Sequence, residues 1–478
     1  MTQFKSSNEN IDNKKWLALL VLCMGTLMIV LDSTIVNVAL PSIRTDLGFS
    51  QTSLAWVVNA YLLTFGGFLL LGGRLGDIYG PKKLFLIGII FFTIASFICG
   101  MANSQLFLII ARSIQGFGGA IVSAVSLSLT MSLFKEPEER AKAMGLFGFV
   151  AAGGGSIGVL LGGILTGVLN WHWIFLVNVP IGILVTILSI ILLPQSDKSK
   201  IHTHLDIFGA ITITSANILA VYAIVNGNQD GWLSLTTISL LIFAILLMCI
   251  FFLIEHKITS PLVPLRLFAL RNLVSANFIG ILWAASLFAW FFISALYLQL
   301  VLGYKPLQVG LSFLPANIIM GAFSIGISAK LVLKYGIKAP LVVGLLLASL
   351  GLLLYTRSPV NGNYIVDVLP SMIILGFGGG IAFNPILLAA MNDVSQNESG
   401  LASGIVNTSF MMGGAIGLAV LASIASLITT SSLQHHVTSV IAINNGYHAA
   451  FLFGSLFALI GAMIGFFFIN IPKFSKSI

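Results

Sequence analysis

Two ionisable residues, Asp32 and Arg112, stand deep inside long apolar stretches of this 478-residue chain. An acid near the centre of a bilayer costs about 2.5–3.5 kcal/mol on insertion scales, so its presence calls for a partner or a task. Asp32 can be helix glue, or a carboxylate that takes up and releases a proton. Burial and a nearby cation act on its protonation in opposite senses, so protonation can follow conformation or ligand. Arg112 cannot realistically deprotonate and serves as a fixed positive charge. It is either a purely structural tie between helices or the partner of Asp32. Gln115, Gly116, Gly119 and Ser123 follow it at helical spacing and form a small, polar stripe that should face other helices.

Other residues suggest weaker chemistry. Asn37, Asn59, Asn317, Asn384 and Asn407, with Gln115, are uncharged polar side chains within apolar stretches and candidates to line a cavity. The aromatic run Trp283, Phe288, Trp290, Phe291, Phe292 and Tyr297 would suit flat or cationic molecules, with Trp290 the chosen contact. It would equally serve packing and lipid contact. HTHLD (His202–Asp206) superficially offers metal ligands or an acyltransferase pair, but it has no partner residues and reads as an ordinary connector. The three cysteines, Cys23, Cys99 and Cys249, have no disulfide or metal spacing. No metal site and no cofactor are expected.

The elements that must hold these residues follow from composition. The chain is 58% hydrophobic and only 8% charged, against roughly 25% charged in soluble proteins. Soluble enzymes, disordered scaffolds and secreted disulfide proteins are excluded. Apolar runs near 16–39, 54–73, 84–102, 106–133, 143–168, 173–193, 206–226, 235–254, 274–301, 308–329, 340–356, 368–391, 404–428 and 448–470 each suffice for a membrane-spanning helix. Fourteen spans place both termini on one side. Nineteen of the 23 Lys and Arg fall in segments on that side, whereas Arg44, Lys305 and Arg357 fall opposite. The positive-inside rule therefore makes both termini cytoplasmic. The net charge of +8 is an orientation signal and does not imply a nucleic-acid partner.

Three segments recur in order at nearly one offset. GFGGAI (Gly116–Ile121) returns as GFGGGI (Gly376–Ile381), GGSIG (Gly154–Gly158) as GGAIG (Gly413–Gly417), and YGPK (Tyr79–Lys82) as YGIK (Tyr335–Lys338). The shift equals eight spans, so the repeats share orientation in the membrane. The chain divides into a six-helix bundle (1–195), a two-helix insert (196–272) and a second six-helix bundle (273–478). Two facing bundles imply a central site and alternating access, hence a carrier. The repeat sets Met372 against Arg112, which confines the charged site to the first six helices. No loop exceeds about 20 residues, and no intramembrane catalytic set is present. Neither an enzyme nor a channel with charge rings fits.

The run LDSTIVNVALPSI (Leu31–Ile43) resembles the first-span signature of the 14-span drug:proton antiporters of the major facilitator superfamily. GGRLGDIYGPKK (Gly72–Lys83), ARSIQGFGGA (Ala111–Ala120), WHWIFLVNVPIG (Trp171–Gly182), PLVPLRLF (Pro261–Phe268), YKPLQVGLSFLP (Tyr304–Pro315) and ESGLASGIVNT (Glu398–Thr408) are similar to the same family. The resemblance implies an all-α major facilitator fold in the plasma membrane of a bacterium. It further implies efflux of small amphipathic or cationic drug-like compounds in exchange for protons, by a protein functional as a monomer. Asp32 would be the proton-coupling carboxylate and Arg112 its modulator. Gly73, Asp77, Gly80 and Lys82 would form the cytoplasmic gating loop, and Gly154, Gly158, Gly162 and Gly163 a close-packing motif. Two departures stand out. Ile78 and Pro81 replace usual basic residues, and Val159 replaces the proline expected after Gly158. Export of an endogenous lipid, fatty acid or metabolite, a symport cycle, and sodium in place of the proton are the alternatives on the same fold.

Overall fold

The computed structural model describes the backbone of residues 2–134, 136–194, 206–258, 261–394 and 398–470, and these residues contain no strand. The first half comprises α1 (Thr2–Leu47), α2 (Trp56–Tyr79), α3 (Pro81–Gly100), α4 (Gln105–Leu133), α5 (Pro137–Val168) and α6 (Asn178–Leu192). Next come α7 (Ile207–Asp230) and α8 (Leu235–Lys257). The second half holds α9 (Arg271–Leu296), α10 (Pro306–Ala322), α11 (Lys338–Tyr355), α12 (Leu369–Met391), α13 (Ser399–Gln434) and α14 (Ser439–Phe468), and two shorter α-helices span Trp173–Leu176 and Ser328–Tyr335. Twelve helices among the described residues are long and apolar enough to cross a bilayer, while Ile157–Val168 within α5 and Pro306–Ala322 are shorter apolar helices. Their outward faces are apolar, as on α8, where Ile242, Phe243, Ile245 and Leu246 are exposed. That is the pattern expected where the solvent is hydrocarbon.

The repeated motifs make equivalent contacts in the two halves. In YGPK the second residue, Gly80, has φ +88°, and its counterpart Gly336 has φ +79°. A side chain disfavours that conformation, so the helix–turn–helix needs glycine there. A β-carbon placed on Gly116 would lie 2.4 Å from the Tyr61 carbonyl of α2, and one on Gly376 would lie 2.7 Å from the Ala316 carbonyl of α10. Likewise Gly118 abuts Phe92 of α3, and Gly378 abuts Ala348 of α11. Gly158 packs on Leu31 of α1, and Gly413 and Gly417 pack on Ile281 and Ala285 of α9. The glycines let backbones approach where apolar solvent gives little drive for association.

The halves meet through α2 and α13, where Gly66 faces Met411 and Gly404 faces Leu70, and again at one end. Gln299 Nε2 donates to the Val38 carbonyl at 2.9 Å. There Gly163 faces the Pro306 carbonyl, and Gly310 faces that of Val159. Along one side α7 lies against both halves: Thr214 fills the space over Gly67 of α2, and Asn228 Nδ2 donates to the Ser423 carbonyl of α13 at 2.7 Å.

Candidate functional site

Asp32, in the second half of α1, is 0% exposed, as is Arg112 of α4. Arg112 NH1 donates to Asp32 Oδ2 in a salt bridge. The other carboxylate oxygen, Oδ1, accepts from Gln115 Nε2 at 2.7 Å and from Asn178 Nδ2 at 3.0 Å. Arg112 has further partners. Its NH1 also donates to Gln115 Oε1 at 2.6 Å, its Nε donates to the Val57 carbonyl at 3.0 Å, and its guanidinium lies 4.5 Å from the Tyr61 ring centre. Gln115 Nε2 reaches Ser96 Oγ at 2.8 Å. Six side chains from α1, α2, α3, α4 and α6 thus form one buried network, which Tyr61 joins through its ring alone. Burying an ion pair is tolerable when hydrogen bonds replace lost water, and here both Asp32 oxygens and the Nε and NH1 of Arg112 have partners.

Helix packing fixes the register of this network. Gly154, Gly158 and Gly162, spaced by one turn, lie over Val30, Leu31 and Ile35 and press α5 onto the turn of α1 that carries Asp32. Gly163 instead faces Pro306, so adjacent glycines join α5 to both halves. A β-carbon on Gly162 would stand 2.5 Å from the Ile35 carbonyl, which is backbone and cannot step aside. Gly162→Ala is expected to cost about 1–3 kcal/mol, read as a lower melting temperature in detergent. An unchanged value would show that α5 can slide at no cost.

A cavity of about 1320 Å³ lies between the halves, lined by Ser33 and Tyr61 from the first half and by Phe288, Asn407 and Met411 from the second. It extends to Arg74, His256, Arg266 and Glu398, at the end opposite the Gln299–Val38 contact. Ser33 faces it while its neighbour Asp32 faces the bundle interior. Tyr61 borders both the cavity and Arg112. One helix layer therefore separates the charge pair from the cavity.

The polar residues expected to line the cavity divide sharply. Asn407 does so. Gln115 is instead a ligand of Asp32. Asn37 bonds back to its own helix at the Thr34 carbonyl. Asn384 ties α12 to the Ser324 carbonyl at 2.5 Å. Asn59, Asn317 and Trp290 are buried in the packing interior, where the Asn59 amide, Asn317 Nδ2 and Trp290 Nε1 have no hydrogen-bond partner. Helix rotation decides this, because a polar residue inside a span can face a neighbouring helix as easily as a cavity. Of the aromatic run, Phe288 reaches the cavity, whereas Trp283, Phe292 and Tyr297 are core.

In the loop between α2 and α3, Gly80 makes the turn. Lys82 Nζ donates to the carbonyls of Ile190 at 3.1 Å and Leu193 at 2.5 Å, capping the end of α6 within the same half. Gly73 has open space above it. The side chain of Asp77 lies outside the described residues, as do His202 and His204; Asp206 caps α7. Asn178, Ser96 and Tyr61 are network members that residue type and spacing do not single out. Asn178 does stand inside the Trp171–Gly182 motif, which was the available signal. In the second half Met372 is buried at the place of Arg112 and brings no charge.

Comparison with known proteins agrees with this architecture. The model of the Major Facilitator Superfamily matches residues 22–418. The chain is 36% identical over 430 residues to the puromycin resistance protein pur8 of Streptomyces alboniger, covering 90% of this chain and 85% of the relative. It is 35% identical to the cephamycin export protein CmcT of Amycolatopsis lactamdurans, covering 87% and 86%. Among solved structures, the xylose transporter XylE from E. coli in a partially occluded inward-open conformation superposes with a TM-score of 0.64 at 15% identity, over 97% of this chain and all of that one. The fold is shared with XylE, and the sequence is shared with exporters. This multi-pass membrane protein belongs to the Major Facilitator Superfamily, among its drug and antibiotic efflux transporters.

Proposed function

We propose that the protein exports small amphipathic or cationic drug-like compounds in exchange for protons, by alternating access, with Asp32 as the protonation site. It works without a bound cofactor, as a monomer, in a bacterial plasma membrane. The spans number fourteen, arranged 6+2+6, with α5 and α10 included and both termini cytoplasmic. The observation that carries this reading is the sealed Asp32–Arg112 network one helix layer behind a cavity lined by both halves. The similarity to antibiotic exporters supports the substrate class.

The geometry supports a simple cycle. The cavity mouth lies at the end rich in basic residues, which the positive-inside rule assigns to the cytoplasm. In this state Asp32 is paired with Arg112. A substrate entering between Tyr61 and Phe288 lets the halves rock outward, opening the Gln299–Val38 end. A proton from outside then neutralises Asp32, weakens its hold on Arg112 and displaces substrate. Return inward re-forms the pair and releases the proton. One carboxylate moves one proton per cycle, so a monovalent cation exchanges without net charge.

The test is proton movement in proteoliposomes with an entrapped pH dye. The panel is puromycin, a lipophilic cation, a neutral aromatic compound and a fatty acid. A gradient of a substrate is expected to drive protons the opposite way. Protons moving with the substrate, or no movement with any compound, overturn the proposal. In the same assay Phe288→Ala is expected to raise the apparent KM for an aromatic substrate about 5-fold, from roughly 1 kcal/mol of lost ring contact. An unchanged KM would remove Phe288 from the binding surface.

A further inference from the structure

Two carboxyls at the foot of α7 and α8 form a second buried acidic feature, which the cycle above does not use. Asp206 caps α7, its Oδ1 accepting from the Gly209 amide at 2.7 Å. Glu255, in the last turn of α8, accepts from the Val263 amide at 3.1 Å through Oε2, which folds the following segment back onto the helix. Asp206 is 2% exposed and Glu255 3%. The remaining oxygens, Asp206 Oδ2 and Glu255 Oε1, are buried with no hydrogen-bond donor, and the two carboxyls are in contact with each other. Among the described residues neither makes an ion pair. The charged groups on the same rim are Arg74, His256, Arg266 and Glu398, with Lys257 next in sequence. Arg266 is engaged with Glu398. None of the five bonds to either acid.

Two carboxyls in contact and almost wholly buried are opposed in double ionisation, because like charge and desolvation act together. A single proton resolves the arrangement: held on one acid, it donates to the facing oxygen of the other. We propose that Asp206 and Glu255 together bind one exchangeable proton, forming a second proton site at the mouth of the cavity, outside the Asp32 network. The chemistry favours a proton over a divalent cation. The pair offers two free oxygens where Ca²⁺ takes six to eight ligands, and no cluster of three or more metal-ligating side chains occurs among the described residues.

The site has a mechanical consequence. Leu262 packs with Leu71 of α2 and Ala210 of α7, and Pro261, Pro264 and Leu265 beside it line the cavity. Loss of the proton leaves two like charges in contact and pushes the 261–266 segment away from α7 and α2. The two extra helices thus carry a proton-dependent latch on the cavity mouth.

Infrared spectroscopy of the purified full-length protein at neutral pH tests this, since a protonated carboxyl has its own carbonyl band. Glu255→Gln and Asp206→Asn are each expected to remove one such band, while Asp32→Asn leaves that band in place. Both substitutions keep the fold: Asn remains a good helix cap, and Gln can donate to Asp206 Oδ2 as the proton would. On raising pH the wild type is expected to melt at progressively lower temperature while its native state holds a proton that the unfolded chain has already released, the fall levelling off as the band disappears. Glu255→Gln should not show that fall. A band unchanged in both variants overturns the proposal. So does its absence from wild type, whether or not CaCl₂ or MgCl₂ then raises the melting temperature of EDTA-treated protein. Because the band does not depend on transport, its failure is distinguishable from failure of the antiport reading.

Discussion

Asp32→Asn is expected to reduce efflux driven by a pH gradient in proteoliposomes to the passive leak, a loss of at least about 100-fold. That corresponds to roughly 2.7 kcal/mol of coupling. The protein should still fold. Asparagine keeps an oxygen able to accept from Gln115 and Asn178, whose donors now reach Asp32 Oδ1 at 2.7 and 3.0 Å. Arg112 retains Gln115 Oε1, the Val57 carbonyl and the Tyr61 ring. In the proposed cycle a protonated Asp32 is an obligatory intermediate, so the bundle must tolerate a neutral side chain there. Asparagine mimics that intermediate and cannot leave it. Binding of substrate from the cytoplasmic side should survive in weakened form, and coupled turnover should not. Full gradient-driven efflux by Asp32→Asn, with normal expression, would end the assignment of Asp32 as the coupling group.

Arg112→Met is the second large effect, and it acts on stability as well as transport. Methionine is the residue that the second half places at the matching position, buried at Met372, so its shape suits such a site. Removing one partner of a buried ion pair costs about 3–5 kcal/mol, because the other charge is left unpaired. Asp32 has an escape that Arg112 lacks: it can take up a proton and become neutral. The melting temperature of Arg112→Met is therefore expected to fall most at alkaline pH and to recover as acid supplies that proton. Adding Asp32→Asn should restore most of the stability at alkaline pH without restoring transport. The measurement is a double-mutant cycle on melting temperature across pH. If the two substitutions simply add, the pair in the structure contributes no coupling and the site needs another explanation.

Much of this site was legible in the sequence. Apolar runs and their interruption by charge are local properties, and the cost of a charge in hydrocarbon makes each exception visible. That is why Asp32 and Arg112 stand out in the sequence. The repeated glycines were legible too, since a fixed offset needs no knowledge of contacts. Glu255 was not. It stands at the very end of an apolar run, where an acid normally meets water, and nothing local distinguishes a solvated helix end from one folded under its own connector.

The asparagines show the limit most clearly. Asn37, Asn384 and Asn407 are alike by residue type and setting, yet Asn384 joins two helices, while of the two that bond within their own helices Asn407 lines the cavity and Asn37 does not. A rotation of about 100° per residue separates these outcomes, and only packing against neighbours sets it.

Asp32 and Arg112 as charges within apolar spans were legible in the sequence alone, as were the class of solvent around them and the repeated glycine motifs. These depend on composition, order and transfer energies that each residue carries with it. The tertiary structure alone decided who closes on Asp32. Its three bonded partners lie 80 to 146 residues away, and helices joined by short loops can rotate and slide without altering the hydrophobic pattern. The same freedom hid the face of each asparagine and the meeting of Asp206 with Glu255. Close glycine contacts and satisfied polar groups select one arrangement, and these exist only once the helices are assembled.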